Sequence, residues 1–322
     1  MLRTSFSDLV GIDVPVVQAG MSVYTSPDLA AAVSNTGALG SLGAWQRSPE
    51  RLRDDLHALR DATDRPFAVN HVVPDLDVGG FDLTLEFAPA VVSFALDDAG
   101  ELIPRAHDAG SLVMQQVTTV EQAERVVAHG ADIVVAQGGE AGGYGGAVST
   151  MVLVPQIVDA IDPVPVLAAG GIADGRGLAA ALVLGAAGVN LGTRFLASAE
   201  APVGETWKRA ILASASEDWV QLDFLNDIAP NPGVTGYGTR VRARRTDFTD
   251  RWESRRDELR TDPAAAVSEI TAAAAEGKLE ELLVVGGQSG GLVRELLTAA
   301  DIVRSIVAEA ESALARGGDL TA

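Results

Sequence analysis

The sequence predicts a (β/α)8 barrel with a smaller, mostly helical subdomain inserted near its C-terminal third, and three observations lead there. Eight short apolar, β-branched runs alternate with helical stretches, the rhythm of parallel strands joined by helical crossovers. Glycine clusters follow the sixth and seventh runs and Gly192 follows the eighth, where a barrel carries its working loops. Past residue 200 the rhythm gives way to polar and helical segments and resumes only near residue 286. An open doubly wound sheet uses the same βα units, but paired glycine turns after runs seven and eight favour the barrel, whose phosphate site usually sits there.

The strands are expected at 14–19, 38–42, 67–71, 91–95, 112–116, 132–136, 164–168 and 189–191. Helix starts between them carry a cap, a first-turn proline or an acid: Ser26-Pro27-Asp28, Ser48-Pro49-Glu50, Thr119-Val120-Glu121 and Ala173-Asp174. The uncharged stretch between Arg176 and Arg194 reads as a helix over 178–184, a break at Gly185 and Gly188, and the eighth strand, rather than as a membrane span. The expected units are a barrel of residues 1–200 and 286–322, and a subdomain of residues 201–285 covering its mouth. That subdomain holds the turn Asn231-Pro232-Gly233, the arginines 240, 242, 244 and 245, and a helix over 264–275. The chain then returns through Gly286-Gly287-Gln288-Ser289-Gly290-Gly291 to a last helix near 292–316.

The 322 residues, 47% of them apolar, are enough for one large core or two modest ones. A net charge of −20 argues against nucleic acid or an anionic membrane as partner and leaves a small molecule or a protein, with a homo-oligomer left open. Without cysteine there is no disulfide, thiolate or sulfur-ligated metal. Residues 1–10 lack the apolar core of a signal peptide, so the cytoplasm is the expected location.

Residues 137–146, Gln-Gly-Gly-Glu-Ala-Gly-Gly-Tyr-Gly-Gly, follow the sixth strand, and their six glycines are costly unless a close approach requires them. The segment reads as a ligand cradle with Tyr144 facing the ligand, or as a flexible surface loop; its place at a strand end favours the cradle. Ala169-Gly170-Gly171 and Gly192-Thr193 end strands seven and eight, and their backbone N–H groups and the helix ends they open toward could hold a phosphate without lysine.

These segments, with Pro15-Val16-Val17-Gln18-Ala19-Gly20-Met21, the stretch 30–40, Ala68-Val69-Asn70 and Gly192-Thr193-Arg194-Phe195, resemble the nitronate monooxygenase family, formerly the 2-nitropropane dioxygenases. The flavin-dependent enoyl-acyl-carrier-protein reductases share the pattern. The resemblance spans nearly the whole barrel and implies FMN at its carboxyl face. Gly170, Gly171, Gly192 and Thr193 would hold the phosphate. Ala19, Gly20 and Met21 would lie against the ring, with Asn70 and Gln137 bonding the ring or its ribityl chain. Gln116 or Gln115 is a further candidate, depending on which points inward. Gly142 and Gly143 would let the backbone approach the ring, and Gln288 and Ser289 would close the site.

One departure bears on chemistry. In the family, Glu-Ala-Gly-Gly is followed by histidine, and here by Tyr144. A tyrosine with an ordinary pKa of about 10 is a poor base at neutral pH but can donate a hydrogen bond to an anion or stack on an apolar group. His71, beside Asn70 at the end of strand three, is a substitute base if it faces the mouth; alternation with Asn70 gives it equal claim to the barrel–helix layer. Tyr24 lines the pocket or packs as a lid. The arginines 240 to 245 meet a phosphate of NAD(P)H or an acidic carrier, or form surface ion pairs, the commoner case. Three activities follow: an FMN-dependent monooxygenase oxidising a small nitronate or similar anion with O2, an NAD(P)H-dependent flavin reductase acting on an enoyl thioester or quinone, and an FMN-binding protein with lost or repurposed catalysis.

Overall fold

In the computed structural model, residues 2–228 and 240–319 are described; the predicted turn Asn231-Pro232-Gly233 lies outside them. Eleven strands occur among those residues: β1 Val16–Gln18, β2 Gly40–Gly43, β3 Phe67–Val72, β4 Val91–Ala95, β5 Leu112–Val117, β6 Ile133–Gln137, β7 Gly143–Gly145, β8 Val166–Ala169, β9 Gly188–Leu191, β10 Trp219–Leu222 and β11 Arg240–Arg244. Eight of them form one parallel sheet in the order β1-β9-β8-β6-β5-β4-β3-β2. Leu39 closes it into a barrel: its N–H donates to Val16 and its C=O accepts from Gln18, both at 2.9 Å.

The helices between the strands start where side chains satisfy the free N–H groups of a first turn. Ser26 accepts from Leu29, Ser48 from Arg51, Thr119 from Gln122, and Asp174 from Arg176 and Gly177. The uncharged stretch resolves into helix Gly175–Val183 and β9. No helix among the described residues is long and apolar enough to cross a membrane.

Alternation along the strands divides the apolar residues in two. Val17, Ala68, Val91, Met114, Val135 and Leu167 fill the barrel, joined by Phe6 and Val10 of the helix Ser5–Val10. Val16, Val134, Val166 and Val189 face outward and pack on Leu29, Leu153, Leu178 and Ile306 of the surrounding helices.

Between residues 201 and 285 helices predominate, among them Glu205–Leu212, Asp247–Glu253, Arg256–Thr261 and Ala264–Ala275. Leu222, Phe224, Phe248, Trp252 and Leu259 form a separate apolar cluster there. Sequence reasoning missed the antiparallel sheet β10-β11-β7. Its third strand, β7, comes from the glycine-rich loop after β6: Gly143, Tyr144 and Gly145 pair with Arg242, Val241 and Arg240. A stretch with four glycines around one tyrosine has little strand propensity, so β11 imposes the conformation through its ladder.

Candidate active site at the barrel mouth

The alternation that fills the barrel also turns Ser41, Asn70, Ser93, Gln116, Gln137 and Asn190 inward near the carboxyl ends of six strands. Followed around the register, Ser41, Ser93, Val135 and Asn190 fall in one layer, and Ala19, Asn70, Gln116 and Ala169 in the layer above, each drawn from alternate strands. The mouth therefore has a polar floor where the lower barrel is apolar.

On one side the floor is internally bonded. Asn70 Nδ2 donates to Ser93 Oγ at 2.9 Å, and Gln116 Nε2 donates to Gln137 Oε1 at 2.9 Å. The other side is open. Ser41 Oγ and Asn190 Oδ1 are buried with no hydrogen-bond partner, and Asn190 is only half-buried because its upper neighbours, Ala19 and Ala169, are small. Buried polar atoms are normally paired, so these two are exceptions in an otherwise bonded floor. Sequence reasoning passed over Asn190 and Ser41; the alternation Val189-Asn190-Leu191 was the available signal.

Glycines shape the rim. A side chain on Gly20 would lie 2.2 Å from Asn70 Cβ, so only glycine lets the β1 loop rest on Asn70. Met21 reaches across to β9, its Sδ 3.3 Å from where a Gly192 Cβ would be. Gly170 and Gly171 take φ values of +105° and +72°, which strongly favour glycine. Gly192 precedes the short helix Thr193–Leu196 with no side-chain cap. Helix Gly175–Val183 is different: Asp174 and Glu309 already accept from its first N–H groups, so it offers an anion no free end. The capped N-terminus corrects the expectation of a helix end for an anion after strand seven.

Other expectations need similar correction. Gly142 is small because another backbone occupies its space: an added Cβ would lie 2.6 Å from Gly286 C and 2.8 Å from Gly287 N. The two glycine-rich segments thus pack face to face, fixed by Gln288 N–H donating to Glu140 C=O at 2.9 Å and Gly287 N–H to Thr193 Oγ1 at 2.8 Å. Ser289 is buried in the same segment, and Gly290 lies flat on Trp219. Gly143, at φ +70°, has open space where a side chain would project.

His71 faces away from the mouth. Its ring lies edge-on to Phe81 at 5.3 Å, and Nε2 meets Thr84 Oγ1 at 3.0 Å in the barrel–helix layer. Thr84 Oγ1 itself donates to Gly80 C=O, so Nε2 carries the proton given to Thr84. Burial lowers the His71 pKa to about 4, and the substitute-base reading of His71 is set aside. Gln115 likewise points outward, donating to Asp97 C=O at 2.9 Å, which leaves Gln116 as the inward glutamine. Tyr24 packs on Trp207, ring centroids 4.7 Å apart.

Tyr144 is half-buried on β7 and touches the apolar cluster that lies between the strands and the surrounding helices. The loop beneath it is clamped from both sides. Glu140 accepts from Thr150 N–H and Oγ1, both at 2.9 Å. Arg242, buried in β11, donates to Gly139 C=O and to Trp219 C=O. Burial holds its pKa below the ordinary arginine value, opposed by the charge of Glu140. The arginine group thus divides: Arg240 and Arg245 form exposed ion pairs with Asp223 and Asp250, while Arg242 is structural.

A packed barrel whose carboxyl end carries a polar floor and glycine-built rims is that of a (β/α)8-barrel enzyme. The nitronate monooxygenase family profile matches residues 3–82 and 77–309. The chain is 34% identical over 339 residues to the (3aS,4S,5R,7aS)-5-hydroxy-7a-methyl-1-oxo-octahydro-1H-indene-4-carboxyl-CoA dehydrogenase of Rhodococcus jostii, covering 96% of each chain. It is 35% identical over 272 residues to a probable nitronate monooxygenase of Staphylococcus saprophyticus, covering 70% of this chain and 76% of that one. Among solved structures, FabK from Thermotoga maritima superposes with a TM-score of 0.88 at 33% identity, over 99% of this chain and 100% of its own. Nitroalkane oxidase from Streptomyces ansochromogenes gives 0.80 at 28%, over 97% and 99%. The chain belongs to the nitronate monooxygenase family, and it is an oxidoreductase.

Proposed function

We propose that this enzyme is an FMN-dependent oxidoreductase that oxidises a small nitronate or similarly delocalised anion with dioxygen. The observation carrying this reading is the half-completed polar floor, where Asn190 Oδ1 and Ser41 Oγ lack partners beside the bonded pairs Asn70–Ser93 and Gln116–Gln137. A planar group edged with donors and acceptors fits such a surface, and Gly20, Gly170, Gly171 and Gly192 leave a rim without side chains.

When bound, FMN supplies two-electron redox chemistry and reactivity toward O2. The chain supplies the remainder. Backbone N–H groups at Gly170, Gly171, Gly192 and Thr193 would hold the phosphate, Ala19, Gly20 and Met21 would form one wall, and Asn70, Gln116, Gln137 and Asn190 would hydrogen-bond the ring or its ribityl chain. Gln288 holds the C-terminal segment against the Glu140 loop through its N–H, Ser289 would close the site beside it, and the subdomain would limit water entry. Tyr144 donates its hydroxyl proton in a hydrogen bond to the anionic substrate and does not accept a carbon-bound proton.

With His71 turned away, the mouth has no histidine base, so the enzyme acts on preformed nitronates and poorly on neutral nitroalkanes. Oxygen consumption with paired nitronate and nitroalkane substrates tests this: equal turnover of the two, or a purified protein that takes up no FMN, refutes it. Tyr144→His is expected to raise nitroalkane turnover much more than nitronate turnover.

A second reading, reduction of an enoyl thioester by NAD(P)H, is favoured by the likeness to FabK and by the thioester in the name of the Rhodococcus relative. Anaerobic mixing with NADH or NADPH separates the two, since rapid bleaching of the flavin supports the reductase.

A further inference from the structure

A second cavity, of about 640 Å³, lies outside the mouth, between the C-terminal helix Ala299–Asp319, residues 292–297 and the turn into helix Gly175–Val183. None of the residues assigned above to FMN lines it. Its volume falls in the range of small-molecule sites, roughly 300–1,000 Å³. Leu297, Ile302 and Ile306 give it an apolar wall.

Four arginines line it, 176, 194, 294 and 316, against the acids Asp174, Glu295 and Glu309. This local positive excess is unusual on a chain of net charge −20. Two of the acids are already engaged: Asp174 caps the helix and pairs with Arg176, and Glu309 accepts from Gly175 N–H at 3.0 Å. Arg194 is only 7% exposed, yet among the described residues it forms no ion pair. Its Nη1 donates to the carbonyls of Ala197 and Glu295, both at the long distance of 3.3 Å. Burial lowers its pKa from the ordinary arginine value, with the charges of Glu295 and Glu309 opposing. Glu295 and Glu309 act on Arg194 by charge without a direct ion pair, and its planar fork suits a bidentate oxyanion.

We propose that this groove binds a phosphate-bearing organic molecule, its phosphate on Arg194 with Arg294 and Arg316 at the entrance, and its apolar body along Leu297, Ile302 and Ile306. The site is separate from the flavin reading and stands whether or not that reading holds.

Calorimetric titration of the full chain, saturated with FMN and in a phosphate-free buffer, tests this with AMP and inorganic phosphate as probes. The expected result is one AMP site, weaker binding of inorganic phosphate, and about a tenfold loss of AMP affinity in both Arg194→Gln and Arg294→Ala. Arg294 is exposed, so its variant remains informative if Arg194→Gln fails to fold. Absence of AMP binding, or binding unchanged in Arg294→Ala and Arg316→Ala, overturns the site. Equal affinity for inorganic phosphate overturns the organic body. AMP binding that appears only in the FMN-free protein overturns the location, because the probe is then in the mouth. Flavin content, read by absorbance on the same samples, reports separately on the flavin reading.

Discussion

Asn190 and His71 show how one residue of register decides a role. Asn190 keeps a buried, unpaired oxygen in the barrel floor, an arrangement that lowers stability until a partner arrives. Asn190→Leu is therefore expected to leave the melting temperature of the FMN-free protein unchanged or raised, while weakening FMN binding about tenfold, roughly 1.4 kcal/mol, in a fluorescence titration. His71 is neutral in the fold down to about pH 4, against an ordinary 6.5. Its folded pKa is depressed, so below pH 6.5 the unfolded chain binds a proton that the folded chain refuses. Stability falls as pH drops from 6.5 toward 4, by about 3 kcal/mol at most, and is unaffected above that window. Denaturant melts across pH 4 to 8 check this, with His71→Asn expected to flatten the slope. Most residue types at the mouth are legible in the sequence, Ser41 and Asn190 being the exceptions. Their direction was harder to read, because Asn70-His71 and Gln115-Gln116 each place two polar side chains on opposite faces, and only the neighbouring strands say which is inside.

Among the elements, the loop after β6 departs most from its sequence reading. The sequence predicts space for a ligand at its glycines, but Gly142 is filled by the backbone of Gly286 and Gly287, and only Gly143 is open. The two positions should separate cleanly. Gly142→Ala forces backbone against backbone and is expected to cost about 2–3 kcal/mol, with partial loss of flavin. Gly143→Ala meets no atoms and pays only for its positive φ, about 1–2 kcal/mol. Thermal melts and retained flavin absorbance distinguish them. Local spacing could not reveal this, since the segment that fills Gly142 lies more than 140 residues away in the chain. Helix starts, by contrast, were legible: Ser26, Ser48, Thr119 and Asp174 cap as expected, because capping is decided within four residues.

At the scale of the molecule, the barrel is closed at its amino end by Phe6 and Val10 and left polar at its mouth, which separates stability from chemistry. Phe6→Ala is expected to cost about 3–5 kcal/mol in denaturant melts while leaving FMN affinity unchanged at low temperature. A parallel fall in affinity would mean the two ends are coupled. The alternation of strands and helices made the barrel legible across most of the chain, because each βα unit carries its own periodicity. The sheet β10-β11-β7 was hidden, since it joins strands far apart in sequence and one of them has no strand-like composition. That sheet limits how the molecule can be recombined. Replacing residues 201–285 with the counterpart from a relative would leave β7 paired to a foreign neighbour and remove the arginine that anchors Gly139. A working chimera would have to exchange residues 138–146 together with the insertion, so the transplantable module is one piece in space and two in the gene.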